Sequence, residues 1–412
     1  MMLNNYTLIS LFFLIGSCSI AKLPVGIKHF AQSEGEVLSS ISPLDTDFRD
    51  LEVIGDAIGD RRIVLLGEAS HGDGQAFLAK SRLIKYLHEQ KGFDVLAFEA
   101  DFIALNQLTY SYSGSQDSIE SVANLALAIN SIWSGTEECR ELLFNYIPQT
   151  YRDGNPLQVA GIDPQPYGLA IGKRDSLHKL LRHLGGVAPR TLAEDIDTLI
   201  SCALKPANQL VTLDTALASR LNRLDGNIRQ LMSGIHDKST LEFRILQNLR
   251  YFCLQVLHFS DSAYYSFRDS CMAENVTWLL DKKFSGKKIV IWAANSHIGK
   301  YPTNFKLDFK PMGKYLVDYY GDEVYSLAIT ARTGTSGVFR VTREIESHKQ
   351  GFENAVPENL DYVFFDFNQS SDTQETSFFL NALSGGPVEL PWKKHFDGIL
   401  YIREMAASKK KL

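Results

Sequence analysis

The chain has 412 residues, of which 45% are hydrophobic, 22% charged and 11% aromatic, a composition that can build a sizeable core without staples. The length allows one large domain or two medium ones. A formal net charge of −6 excludes the basic footprint of a nucleic-acid binder, and the one basic run, Lys409–Lys411, reads as a solvated tail.

In chain order, residues 6–20 form an apolar run too short to cross a bilayer comfortably, so no stable membrane span is expected. The run ends in Ser19-Ile20-Ala21, the small-residue pattern of a signal-peptidase cut. Residues 1–21 therefore read as a signal peptide, residues 22–412 as one mature domain, and the protein as exported, periplasmic or secreted. Ile15-Gly16-Ser17-Cys18 also resembles a lipobox, in which Cys18 would carry a lipid anchor. The other cysteines, Cys139, Cys202, Cys253 and Cys271, include no Cys-x-x-Cys pair. That argues against a cysteine zinc site and leaves one or two disulfides open.

The next elements alternate. Asp50, Leu51, Ile54 and Ile58 share a helical face. Ile63–Leu66 is an apolar strand that ends at Gly67-Glu68-Ala69-Ser70-His71-Gly72. A helix follows from about Gln75 to Glu89. Asp94–Glu99, Leu157–Asp163 and Lys288–Ala293 repeat the pattern of a buried strand running into polar residues. Further strands are expected at Val324–Thr330, Tyr362–Asp366 and Gly398–Ile402. Residues 165–283 are mostly helical in pattern and read as a helical insertion. The fold class expected is α/β, a mostly parallel central sheet flanked by helices. Such a sheet gathers its strand-end residues along one edge, where ligands bind.

Glu68 and His71 stand at that edge as a carboxylate orienting a base. On the 75–89 helix, Lys80 falls inside the stripe of Ala76, Ala79, Leu83, Ile84 and Leu87. It must snorkel outward or find Glu68 or Glu99 as a partner. Ser81, Arg82, Lys85 and Glu89 fall on the opposite side, which is expected to be solvated. Near residues 263–280, Arg268, Met272, Asn275 and Leu279 share a face. There Arg268 is either a structural partner for a strand-end carboxylate or a guanidinium for a substrate oxygen. His297 closes the run after the fourth strand. Ser70 is a weak candidate nucleophile, because Glu68 stands where a nucleophile elbow has its first glycine. Glu68, His71, Glu99 and His297 have ligand types a metal would accept, but no HExxH, P-loop or dinucleotide glycine pattern is present.

These motifs together resemble the erythromycin esterase family. The resemblance covers about residues 40–403. It rests on Gly67–Gly72, Lys80, Phe98-Glu99-Ala100, Trp133 with Glu137 or Glu138, Gly161-Ile162-Asp163, Arg268–Asn275, Trp292–His297, Pro311–Leu316 and Phe396-Asp397-Gly398. It implies a metal-independent, cofactor-free ester hydrolase that opens a macrolactone, with a role in macrolide resistance. It makes His71 the general base on water, with Glu68, Glu99 and Lys80 as catalytic neighbours. Arg268, His297 and Asn275 become substrate-binding residues. The family's Trp-Ala-His-Asn-x-His motif reads Trp292-Ala293-Ala294-Asn295-Ser296-His297 here, so one site histidine is replaced by Ala294. The alternatives are a non-enzymatic haem-binding protein on the same fold, using His297 or His71, and an acyl hydrolase or transferase of envelope polymers.

Overall fold

The computed structural model describes residues 22–411, except 113–123, 127, 173, 186–189, 206–209, 211–212, 260–263, 303–308 and 339–340. The expected signal peptide and Cys18 lie outside the described residues.

The strands are β1 (Glu36–Val37), β2 (Ile63–Leu66), β3 (Phe93–Asp101), β4 (Gln158–Asp163), β5 (Lys288–Trp292), β6 (Val324–Val338), β7 (Val341–Glu346), β8 (Tyr362–Asp366), β9 (Phe378–Leu380), β10 (Val388–Leu390) and β11 (Gly398–Met405). Nine of them form one sheet in the order β1-β8-β11-β6-β2-β5-β3-β4, with β7 paired to β6. From β11 to β4 every neighbouring pair is parallel, whereas β8, β1 and β7 pair antiparallel. The mostly parallel α/β sheet expected from the alternation is therefore present. β2 is wholly buried because strands flank it on both sides and helices cover both faces, which is why its sequence is an unbroken apolar run. Between β4 and β5 the described chain is helical. Its helices are Tyr167–Ile171, Asp175–Gly185, Arg190–Cys202, Thr215–Ser233, Leu241–Leu257 and Tyr264–Trp278. This is the expected insertion.

Three readings of the sequence are corrected. β6 runs on to Val338, and its extension carries β7; β1, β7, β9 and β10 are short or edge strands with too little apolar pattern to be read. The helix Gly74–Lys91 has no solvated back at Ser81, Arg82 or Lys85, which are all buried. The segment before residue 51 lies over that face. There Arg82 donates to Asp50 Oδ1 (2.7 Å) and to the carbonyls of Ser40 (2.6 Å) and Asp47 (2.5 Å), while Lys85 donates to the carbonyl of Pro43 (2.7 Å). Buried charge is tolerated there because it is paired. The third correction concerns Lys409–Lys411. The backbone of this run is hydrogen-bonded to the protein rather than free as a tail. Cys139, Cys202, Cys253 and Cys271 are buried and unpaired with one another. Among the described residues no helix is long and apolar enough to cross a membrane.

Because β2, β3, β4 and β5 are parallel and adjacent, their carboxyl ends lie side by side. This edge carries Glu68, Glu99, Asp163 and His297. β3 bulges against β4 between Phe98 and Asp101, and Glu99 sits within the bulge. A bulge re-aims a side chain at the cost of local pairing. Gly161 permits it, since a Cβ there would lie 2.3 Å from the carbonyl oxygen of Asp101.

Candidate active site

A cavity of about 390 Å³ opens over this edge. It is lined by His71, Glu99, Asp101, Trp133, Asp163, Arg268 and His297, with Tyr167, Tyr264 and Tyr265 among the remaining walls. Four strand ends and the helix Tyr264–Trp278 of the insertion therefore supply the polar groups.

Glu68 is fully buried behind His71. Its Oε2 forms an ion pair with Lys80, and its Oε1 is 3.1 Å from His71 Nδ1. A carboxylate held by an ammonium can only accept, so His71 carries a proton on Nδ1. In the neutral ring, Nε2 is then an acceptor facing the cavity. Nε2 lies 4.0 Å from Glu99 Oε1, beyond direct hydrogen bonding. Trp133 packs edge-on against the His71 ring at 5.2 Å. Burial works against an imidazolium at His71, but the Glu68 hydrogen bond and the charges of Glu99 and Glu68 outweigh it and raise the pKa above the ordinary value.

Lys80 does not snorkel. It is fully buried, lies over the Trp292 ring at 4.2 Å and donates to the carbonyl of Ala293 at 3.4 Å. Burial lowers its pKa against the pull of Glu68. It does not line the cavity, so it acts on the site through Glu68. Ser70 is not a lining residue either; its N–H donates to Asp73 Oδ2 (2.9 Å) in the turn that starts the Gly74–Lys91 helix.

Arg268 grips Asp163 through Nε (3.2 Å) and Nη2 (2.5 Å) and reaches Glu99 Oε1 with Nη2 (2.9 Å). The structural reading of Arg268 as a partner for strand-end carboxylates is met, and the pair that docks the insertion on the sheet also lines the cavity. The second oxygen of Glu99 accepts the Ala294 N–H at 3.0 Å. Burial would raise the Glu99 pKa, but His297, His71 and Arg268 hold this carboxyl well below its usual range.

His297 Nδ1 contacts both oxygens of Asp269 at 2.9 Å, and its Nε2 is 3.2 Å from Glu99 Oε1. Burial opposes charging this ring, yet the two carboxylates raise its pKa to about 10. The two carboxylates thus favour the charged ring, although Arg268 Nη1 also lies 3.2 Å from His297 Nε2. With both nitrogens engaged, it does not fit the haem reading, which is left with His71 Nε2. Asp269 is fixed in turn by the Met312 N–H at 2.8 Å. Among the described residues no group of three or more His, Cys, Asp or Glu side chains is disposed to hold a metal ion; Glu68, His71, Glu99 and His297 face one another and their cationic partners instead.

Asn275 corrects an expectation. It shares the inward face with Arg268, but it is fully buried away from the cavity. Its amide donates to the Ile162 carbonyl and Asn248 Oδ1 (both 2.7 Å), and its oxygen accepts from Arg244 Nε and Asn248 Nδ2 (both 3.0 Å). It interrupts the apolar stripe to satisfy a buried network rather than to touch a substrate. Sequence reasoning left Asp101, Asp163 and Asp269 out of the site. Asp163 was visible as the third carboxylate at a strand end. Asp101 lies beyond the bulge, caps the next helix through the N–H groups of Ile103 (2.8 Å) and Ala104 (3.0 Å), and is raised by burial to a pKa of about 7. Asp269 lies in the Arg268–Asn275 stretch but was not singled out there, since periodicity gives it no place on the inward face.

A parallel α/β sheet whose carboxyl edge presents a carboxylate-oriented histidine beside a buried Arg–carboxylate cluster defines a hydrolase-like site. The particular family is shown by comparison. The erythromycin esterase family matches residues 88–405, and the chain belongs to it. Membership points to hydrolase chemistry. A putative hydrolase of Bacillus subtilis, YbfO, is 26% identical over 92% of this chain and 91% of its own length. The type II erythromycin esterase of Escherichia coli is 23% identical over 70% of this chain and 74% of its own length. Two solved structures share the fold. A succinoglycan biosynthesis protein superposes with a TM-score of 0.75 at 19% identity, covering 93% of this chain and 98% of that one. A mutant erythromycin esterase in its open conformation superposes with a TM-score of 0.67 at 20% identity, covering 92% and 98%.

Proposed function

We propose that this protein hydrolyses a carboxylic ester by general-base activation of water at His71, without metal or cofactor. The observation that carries this reading is the pair of acceptors 4.0 Å apart, His71 Nε2 and Glu99 Oε1. A water at the usual hydrogen-bond distance of about 2.8 Å from each would donate one proton to each and aim a lone pair into the cavity. His71 then removes a proton as the water oxygen bonds to the ester carbonyl carbon. The negative charge on the former carbonyl oxygen faces Arg268, whose Nη1 contacts neither Asp163 nor Glu99 and lies 3.2 Å from His297 Nε2, in a site already preorganised for charge. Collapse of the adduct breaks the carbon–oxygen bond, and the leaving alkoxide takes the proton back from His71. Glu68 orients the base, and Lys80 holds Glu68 in place through their buried ion pair.

Ala294 decides the substrate question within this reading. It is 8% exposed, gives its backbone N–H to Glu99, and accepts the N–H groups of His297 and Ile298 on its carbonyl. Where the family motif has an imidazole, this site has none, so a macrolactone is one candidate ester among several. Export through the apolar run at residues 6–20, by cleavage after Ala21 or alternatively with lipidation at Cys18, belongs to the same reading.

The test is turnover of simple esters, macrolides and acylated envelope glycans by the purified protein, its His71→Ala and Glu68→Ala variants, and Ala294→His. His71→Ala should cost about 10²–10⁴-fold in kcat, the range for a lost general base. Wild-type turnover by His71→Ala would refute the mechanism. Ala294→His should raise macrolide turnover selectively.

A further inference from the structure

We infer that the segment after β11, Ala406–Lys411, is a strap that positions His71, with Glu138 as its side-chain anchor; the inference rests on His71 being the base. The lysine side chains at 409 and 410 are exposed, as a basic run should be. The backbone is not. Gly74 N donates to the Ala406 carbonyl and Ser408 N donates to the Gly72 carbonyl, both at 2.9 Å. The residues immediately after His71 are therefore clamped on both sides of Asp73, which pairs with Ala407 in an antiparallel bridge. Gly72 also presses on the neighbouring strand: a Cβ there would lie 2.5 Å from Gly337 backbone atoms. Gly337 N donates to the Gly72 carbonyl at 3.2 Å, and Ser408 Oγ donates to the Gly337 carbonyl at 3.0 Å.

The same segment then fastens the turn that follows the short helix Ser131–Ser134, which carries Trp133. Glu137 N donates to the Lys409 carbonyl at 3.0 Å, and Lys411 N donates to the Gly135 carbonyl at 2.8 Å. The buried Glu138 carboxylate accepts Lys409 N at 3.2 and 3.1 Å. Trp133 is the ring that stands edge-on to His71. The base and the ring packed on it thus hang from one stretch of backbone, although His71 and Lys411 are far apart in sequence. A general base must keep its nitrogen at hydrogen-bond distance from the water, and a displacement near 1 Å costs on the order of 10²-fold in rate. Glu138 and Ser408 touch no reacting atom; they are positioning residues.

The experiment uses the full chain with Ser408→Pro, which deletes the N–H donated to Gly72, and the pair Glu138→Ala and Glu138→Gln. The readouts are kcat and KM on an ester the wild type turns over, and the pH titration of His71 in ¹⁵N-histidine NMR spectra, assigned with His71→Asn. Ser408→Pro and Glu138→Ala should lower kcat about 10²-fold with KM little changed, and Glu138→Gln, which can still accept a hydrogen bond, should recover most of it. The His71 titration should move down toward the free imidazole value as the Glu68 contact loosens. If Ser408→Pro does not fold, the Glu138 pair decides alone. Unchanged kcat and an unchanged His71 titration in the folded variants would overturn the strap. Should the wild type turn over no ester, the hydrolase reading fails, while a shifted titration in the variants would still support the strap and an unshifted one would still refute it.

Discussion

Replacing Lys80 by methionine tests the buried centre behind the base. Lys80 and Glu68 are both fully buried, and Lys80 is the ammonium that compensates the Glu68 carboxylate. Methionine fills a similar volume, so the loss is mainly of charge rather than of packing. An uncompensated buried carboxylate costs about 3–5 kcal/mol, and the lost contact with the Trp292 ring adds to it. With an m-value of about 3 kcal/mol per molar urea, the urea midpoint should fall by about 1–1.7 M. The double variant Lys80→Met with Glu68→Gln removes the stranded charge and should recover a large part of the loss, a coupling that the mutant cycle isolates. Urea unfolding followed by circular dichroism measures all three variants. A midpoint drop under about 0.3 M for Lys80→Met, or a double variant no more stable than the single one, would show that Glu68 does not depend on Lys80.

Three further outcomes follow from the same geometry. A general base must be neutral to act and the His71 pKa is raised, so kcat/KM should rise with pH along a limb centred above about 6.5; Glu68→Gln should move that limb to lower pH, and a stationary limb would contradict the assignment. The folded pKa of His297 is about 10, above the unfolded value of about 6.5. Its stabilising contribution is therefore complete below pH 6.5 and lost as pH rises through 10, so urea midpoints of wild type and His297→Asn should converge between those values and a constant gap would count against the imidazolium. Arg268→Lys loses the fork that holds Asp163 and Glu99 together, and kcat should fall about 10²-fold despite the kept charge, as steady-state ester hydrolysis would show.

Local pattern sufficed for the buried central strands. β2, β5 and β8 lie where their apolar runs stand, because strands buried on both faces need continuous Val, Ile, Leu and Phe. The same logic exposed Glu68, Glu99 and His297, each polar at the end of such a run, and Lys80 and Arg268, each charged inside an apolar helical stripe. A polar group in a buried position must have a partner, so its presence there is itself a signal.

Partnership was what the sequence could not assign. It placed Arg82 and Lys85 in solvent, because periodicity describes one helix and not the chain segment laid over it. It put Asn275 in the site, because a residue on an inward face meets either a ligand or a buried network, and only packing separates the two. It passed over Asp269, whose role comes from a histidine 28 residues away in the chain. Sequence alone thus determined which polar side chains stand at the ends of apolar strands or inside apolar helical stripes, since hydrophobic periodicity is local. Which of them meet, at what distance and in which protonation state, was decided by the tertiary structure, since desolvation and charge act between residues that only folding brings together.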